Sequence, residues 1–105
     1  LKFIVETNKF EIKSAVSFPN PFSEQTQLKV EHNREGEDIA WEVGIYDVLG
    51  KLVYEFKDNC YNCDSILNLS PIELPQWLAK GMYFYRILAK TTSSETSLGG
   101  RMILK

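Results

Sequence analysis

Two cysteines, Cys60 and Cys63, stand three positions apart in "DNCYNCDS", and the chain has one histidine, His32. These side chains have the widest chemical reach in the sequence. A C-x-x-C pair serves as a redox motif, half a zinc site or a local disulfide. Zinc takes four ligands, so Cys60, Cys63 and His32 would still need a carboxylate. A thioredoxin-like motif opens a helix after a strand, and no helical pattern follows Cys63. The spacing is read as a loop closed by a short disulfide, or as two thiols, ahead of metal or redox chemistry.

A Ser-His-Asp or Cys-His centre needs a histidine beside its nucleophile. His32 ends the alternation "VEH" next to a turn, which predicts an exposed strand-end side chain. The carboxylates are scattered through turns and outward strand faces and form no pair for acid and base work. "LGGR" at Leu98–Arg101 lacks the following helix that a phosphate loop needs. Its glycines predict a bulge or a close backbone approach before a terminal strand. The reading is therefore not an enzyme, with no metal and no cofactor.

The elements that position these residues repeat with period two. "LKFIV" is a weak first strand. "FEIKSAVSF" places Phe10, Ile12, Val16 and Phe18 on even positions, broken by Ser14. "TQLKVEH" puts Leu28 and Val30 on one face. "IAWEVGIYD" does the same with Ile39, Trp41, Val43 and Ile45, and "KLVYEF" with Leu52, Tyr54 and Phe56. "SILNLS", "GMYFYRILAK" and "GRMILK" complete the series. Tyr83, Phe84 and Tyr85 alternate between core and sheet face, and Trp41 belongs to the core. Trp77 is either a plug over one end or an exposed anchor.

Turn chemistry separates the strands. "NREGED" carries Asn33 and Gly36, and "DVLGK" carries Asp47 and Gly50. "LPQWLAKGMY" runs from Pro75 to Gly81 and leaves room for one short helical turn at most. Short strands with Gly, Pro and Asn turns predict an all-β, antiparallel, immunoglobulin-like β-sandwich of about seven strands. Pro19 and Pro21 fix φ and lack N–H donors, so "FPNPF" cannot lie inside a central strand. Pro19, Asn20 and Pro21 are read as a stiff crossing from one sheet to the other, pinned to the core by Phe18 and Phe22.

A chain of 105 residues fits one domain, and 44% hydrophobic with 25% charged residues is the composition of a folded module. A net charge of −2 gives no electrostatic case for nucleic acid or an anionic membrane as a partner. No signal peptide and no initiator Met open the chain. The expectation is a piece from the end of a longer protein, exported under an upstream signal.

Four motifs occur in one order: "FPNPF" at Phe18–Phe22, "IYDVLGKLVYEF" at Ile45–Phe56, "LAKGMYFYRIL" at Leu78–Leu88 and "GRMILK" at Gly100–Lys105. Together they resemble the type A C-terminal sorting domain of the type IX (Por) secretion system of Bacteroidetes. The resemblance covers residues 18–105. Residues 1–17 would be the end of a preceding domain, a linker or the first strand of the sandwich. The long segment from Lys57 to Trp77 and its C-x-x-C depart from the family pattern. Hook-cap-like immunoglobulin modules share the P-N-P-F start and the Y-D-x-x-G turn, and the "GRMILK" ending favours the sorting domain.

The resemblance implies a folded export signal that directs its carrier through the outer-membrane translocon. A shuttle protein and a sortase would act next. The signal is then either cleaved, with cargo attached to anionic lipopolysaccharide, or retained in the apparatus. Localisation follows: periplasm in transit, then cell surface or secreted. An edge strand can augment a partner's sheet. Recognition is therefore assigned to Gly99, Gly100, Arg101, Met102, Ile103, Leu104 and Lys105, the strand and its preceding glycine loop. Pro19, Asn20, Pro21, Asp47, Gly50 and Gly81 are assigned to structure. The same edge offers a homodimer contact. The rival reading is an extracellular adhesive or carbohydrate-binding β-sandwich contacting its ligand through Trp77 and the strand aromatics.

Overall fold

A computed structural model of the chain describes residues 9–105. The strand expected over "LKFIV" lies outside the described residues. Seven strands follow one another: β1 (Ile12–Phe18), β2 (Gln27–His32), β3 (Ile39–Tyr46), β4 (Leu52–Cys60), β5 (Ile66–Asn68), β6 (Gly81–Lys90) and β7 (Glu95–Leu104). They form a three-stranded sheet, order β1-β2-β5, and a four-stranded sheet, order β4-β3-β6-β7. Every ladder is antiparallel. This is the expected immunoglobulin-like sandwich.

The core is set by strand alternation. Leu28 and Val30 of β2 face Ile39, Trp41, Val43 and Ile45 of β3, with Tyr83, Tyr85 and Ile87 of β6 beside them. At one flank β1 and β7 close the sandwich, and the Tyr85 hydroxyl donates to the Ala15 carbonyl at 3.3 Å. At the other flank Ser70 caps Asp58 of β4, its N–H and its hydroxyl each donating to the carboxylate at 2.7 Å.

Two register shifts overturn expected alternations. In β1 the pairing slips between Ile12 and Ser14. A one-residue slip moves every later side chain to the other face. Ile12 is buried, but Val16 and Phe18 face solvent and Ser17 turns inward. In β4 the pairing slips at the Tyr46–Leu52 end. Leu52 is therefore exposed, apart from the half-buried Tyr54 and Phe56.

His32 is a second correction. It is 1% exposed, packed edge-on against Phe10 at 6.5 Å and Trp41 at 5.7 Å between ring centroids. Its Nδ1 accepts from the Arg34 N–H at 3.0 Å and its Nε2 donates to the Asp64 carbonyl at 2.7 Å. Both partners lie outside β2, so local alternation carries no sign of them. With both ring nitrogens engaged, His32 joins β2 to the loop before β5.

The corner departs from expectation as well. It joins β1 to β2, which are neighbours in the same sheet. It therefore reverses the chain and does not cross between sheets. The Phe18–Pro19 and Asn20–Pro21 peptide bonds are cis. Thr26 ties the reversal: its hydroxyl donates to the Pro19 carbonyl at 2.7 Å and lies 2.7 Å from the Ser17 hydroxyl. Phe22 is buried at 1% exposure, and Phe18 is 75% exposed, so Phe22 alone pins the corner.

Candidate partner-recognition site: the terminal strand and its corner

β7 is an edge strand, bonded to β6 along its inner side. Period two divides its residues. Leu98, Gly100, Met102 and Leu104 point inward, and Glu95, Ser97, Gly99, Arg101 and Ile103 point outward. Met102 is wholly buried and Leu104 nearly so, which corrects their assignment to recognition: both side chains belong to the core. Gly99 and Gly100 lie within the strand and not in a preceding loop, which corrects the expectation for this segment. The close approach expected of the glycines is real at Gly100. A Cβ there would stand 2.3 Å from the Tyr85 ring carbon Cζ and from its hydroxyl. Only glycine leaves room for the Tyr85 ring. At Gly99 the nearest atom to such a Cβ is the Tyr85 carbonyl oxygen at 3.4 Å.

The outer edge of β7 is only partly open. Asn20 Oδ1 accepts the Ile103 N–H at 2.9 Å, and Asn20 Nδ2 donates to the Arg101 carbonyl at 3.4 Å. The Phe22 N–H donates to the Ile103 carbonyl at 2.9 Å, and the Lys105 N–H donates to the Phe22 carbonyl at 2.8 Å. Phe22 and Leu104 thus form a short parallel bridge. The Pro-Asn-Pro-Phe corner acts as an extra half-strand on the last residues of the chain. Prolines suit it, because they hold the backbone without offering further donors.

Antiparallel pairing alternates inward and outward backbone groups. Since those of Ile103 point out to the corner, those of Glu95, Ser97 and Gly99 also point out. No partner outside β6 meets them among the described residues. The open edge therefore runs from Glu95 to Gly99. Arg101, Ile103 and Lys105 present exposed side chains beside it. Lys105 also borders a cleft of about 450 Å³ with Glu24, Glu73, Leu74 and Lys80. Burial pushes the Tyr85 phenol above its ordinary 10.0, so the hydroxyl beneath Gly100 stays a neutral donor.

The remaining predicted residues have structural places. Asp47 Oδ1 accepts from the N–H groups of Leu49 and Lys51, each at 2.9 Å. Gly50 takes a φ of 85° to close that turn. Gly81 opens β6 with a φ of 137°. Cys60 and Cys63 form a disulfide across Cα positions 5.6 Å apart. Trp41 Nε1 donates to Cys60 Sγ at 3.3 Å, and the Cys63 backbone bonds Gly36 and Glu37. The disulfide thus closes the loop after β4 on the end of that strand, and the Cys63 backbone fastens the same loop to the one before β3. Among the described residues no group of three His, Cys, Asp or Glu side chains is placed to hold a metal. Sequence reasoning gave Asn20 to a sheet crossing and missed its bond to the terminal strand. The available signal was a lone amide held between two prolines.

The family model for the secretion system C-terminal sorting domain matches residues 16–98. The chain belongs to this family, the sorting signals of type IX secretion. Residues 99–105 lie beyond the matched segment. Among solved structures, the sorting domain is similar to dimeric latent PorU from Porphyromonas gingivalis. The identity is 27% and the TM-score 0.73, over 86% of this chain and 9% of that one. It also superposes on a β-glucuronidase from Parabacteroides merdae with a TM-score of 0.73. There the identity is 12%, over 91% of this chain and 14% of the enzyme, so the likeness is one of fold alone. This sorting domain spans a small fraction of either protein. No curated protein matches the sequence.

Proposed function

We propose that this domain carries its protein across the outer membrane by presenting one side of β7 to the type IX machinery. The observation that carries the reading is the division of β7. Met102, Leu104 and Gly100 lock it to the core, and Arg101, Ile103 and Lys105 stand exposed next to an open edge from Glu95 to Gly99. A partner strand adding to that edge gains main-chain hydrogen bonds, and the outward side chains supply selectivity. The translocon, its shuttle protein and a sortase are the expected readers. Either cleavage with attachment of cargo to anionic lipopolysaccharide or retention at the surface follows.

The test is export of a reporter carrying a secretory signal and this domain at its end. The wild-type fusion reaches the surface. R101E/I103S, which leaves every inward residue of β7 in place, holds the reporter in the periplasm with the domain still folded. Surface display of the double variant at the wild-type level refutes the assignment of these side chains. Deleting Met102–Lys105 is a poorer probe, because it also removes Met102 and Leu104 from the core.

A further inference from the structure

The edge strands of the two sheets are β1, β5, β4 and β7, and they are unequally protected. Short length, irregular register and cover by other segments keep an edge from pairing. β5 has three residues. β1 carries a register slip, and its Ala15 carbonyl is taken by the Tyr85 hydroxyl. The corner occupies the end of β7. β4 is nine residues long and pairs with β3 in unbroken register from Tyr54 to Cys60. An antiparallel ladder turns the backbone groups of alternate residues away from the neighbour. Along Leu52–Lys57 those groups have no backbone partner beyond β3 among the described residues. The inward side chains agree. Ile39, Trp41, Val43 and Ile45 of β3 are buried, whereas Tyr54 and Phe56 of β4, with rings 6.2 Å apart, are only half-buried.

The charges on β4 select what can add to it. Glu55 and Lys57 are exposed on its outward face, on either side of Phe56. A second β4 laid antiparallel about a two-fold axis through Phe56 sets Glu55 opposite Lys57 of the second copy, and Lys57 opposite its Glu55. The four charges then alternate in sign around a square. Opposite charges facing each other across strands stabilise a sheet, and like charges facing each other destabilise it. On the inward face Phe56 meets Phe56 of the second copy. Tyr54 meets Asp58, whose carboxylate already holds the Ser70 N–H and hydroxyl. Residues opposite each other share a face of the sheet, so the axis must pass through a residue for both cores to lie on one side. Moving it to Glu55 or to Lys57 places like charges face to face.

We infer that two copies of this domain pair through β4, antiparallel and centred on Phe56, into one continuous sheet. The contact is isologous, since each copy offers the same residues to the other, and it closes at two. The added main-chain bonds satisfy the open row of β4, and the Phe56 rings cover each other. A single strand edge is smaller than a standard interface, so the dimer is weak and forms with rising concentration. β7 lies at the far side of each four-stranded sheet. The dimer therefore leaves both export-recognition edges open, and it is independent of the reading proposed for them.

The experiment is sedimentation equilibrium of the 105-residue chain over a range of concentrations. The wild type is expected to pass from monomer to dimer. Glu55→Lys makes all four charges of the square positive and should weaken association about tenfold or more. Glu55 faces Gly44 across β3, so this change breaks no charge pair within the monomer. Lys57→Glu makes all four charges negative and should weaken association to a similar degree. It also sets a second carboxylate opposite Glu42 on β3, and its melting curve checks that it folds. Mixing the two variants restores the alternation, so the mixture should form a heterodimer although neither variant associates alone. The inference is overturned by a wild type that stays monomeric up to about 1 mM, or by Glu55→Lys associating as the wild type does. A mixture of folded variants that stays monomeric overturns it too. So do species larger than a dimer, since β4 would then be pairing with β7 of the next copy in an open chain. Failure here leaves the export reading untouched, because export is measured by display and altered through Arg101 and Ile103.

Discussion

Substituting Gly100 by Ala is the sharpest probe of the terminal strand. The added methyl would sit 2.3 Å from Cζ and Oη of Tyr85 and 2.8 Å from Cε2, so one of the two must move. Tyr85 has little freedom. It is 6% exposed and its hydroxyl bonds the Ala15 carbonyl in the opposite sheet. Overpacking costs about 1–3 kcal/mol, and loss of the Tyr85 hydrogen bond about 1 kcal/mol. Removing a strand glycine returns about 0.5–1 kcal/mol of backbone entropy. The net destabilisation is about 2 kcal/mol, which for a domain of this size lowers Tm by about 10 °C. Thermal unfolding followed by circular dichroism measures it. Gly99→Ala is the control, because its methyl faces outward with 3.4 Å to the nearest atom, and it should change Tm by no more than about 2 °C. A double-mutant cycle with Tyr85→Leu should show the cost of Gly100→Ala falling in the smaller background. A Gly100→Ala protein melting with the wild type would refute the claim that ring and glycine are fitted to each other.

Asn20→Ala removes both side-chain bonds to β7 and should cost about 1–2 kcal/mol. Native-state hydrogen exchange should show the Ile103 amide losing protection, and unchanged protection would mean that the corner does not hold the strand. Replacing Cys60 and Cys63 with serine releases a short loop and should cost about 2 kcal/mol. The check is guanidinium denaturation of the variant against the oxidised wild type. Stability should also fall in alkali. Burial raises the folded pKa of Tyr85 above its ordinary 10.0, so the unfolded chain releases the phenolic proton first. The stability carried by the neutral phenol is complete below pH 10 and is lost as pH rises through the folded value. Tyr85→Phe should remove that part of the alkaline slope in a melting series.

The fold was readable because β3 and β6 alternate without interruption. Ile39, Trp41, Val43 and Ile45 all go inward, as do Tyr83, Tyr85, Ile87 and Ala89. Where sequence reasoning failed, a partner outside the strand itself decided the outcome. Val16, Phe18 and Leu52 lie beyond a slipped register, and a slip is set by the neighbouring strand. His32 is buried because Asp64 and Arg34 satisfy it and Phe10 and Trp41 cover it. Asn20 meets Arg101 and Ile103 across more than 80 residues of chain. In the candidate site, the sequence marked Gly99 to Lys105 as one run and did not divide it, although Met102 and Leu104 turn out to be buried. The occupancy of the edge by the corner was not legible either, since no local pattern records which strand a proline corner will lean against.

The corner changes what a reader of β7 can do. An unprotected edge strand with a free row of N–H and C=O groups pairs with any exposed strand it meets. Asn20 and Phe22 fill that row over its last residues, and two prolines keep their own segment from extending the pairing further. The part left open, Glu95 to Gly99, is short and has a glycine on its outward face, where another backbone can come close. On the proposed reading, a partner strand that adds there would meet Arg101 and Ile103 only at its end, so the two features would be met in sequence along one line. Parity then separates the demands on seven adjacent residues. Gly100, Met102 and Leu104 answer to the core. Gly99, Arg101, Ile103 and Lys105 are free to answer to the export machinery, and changes on one side need not disturb the other.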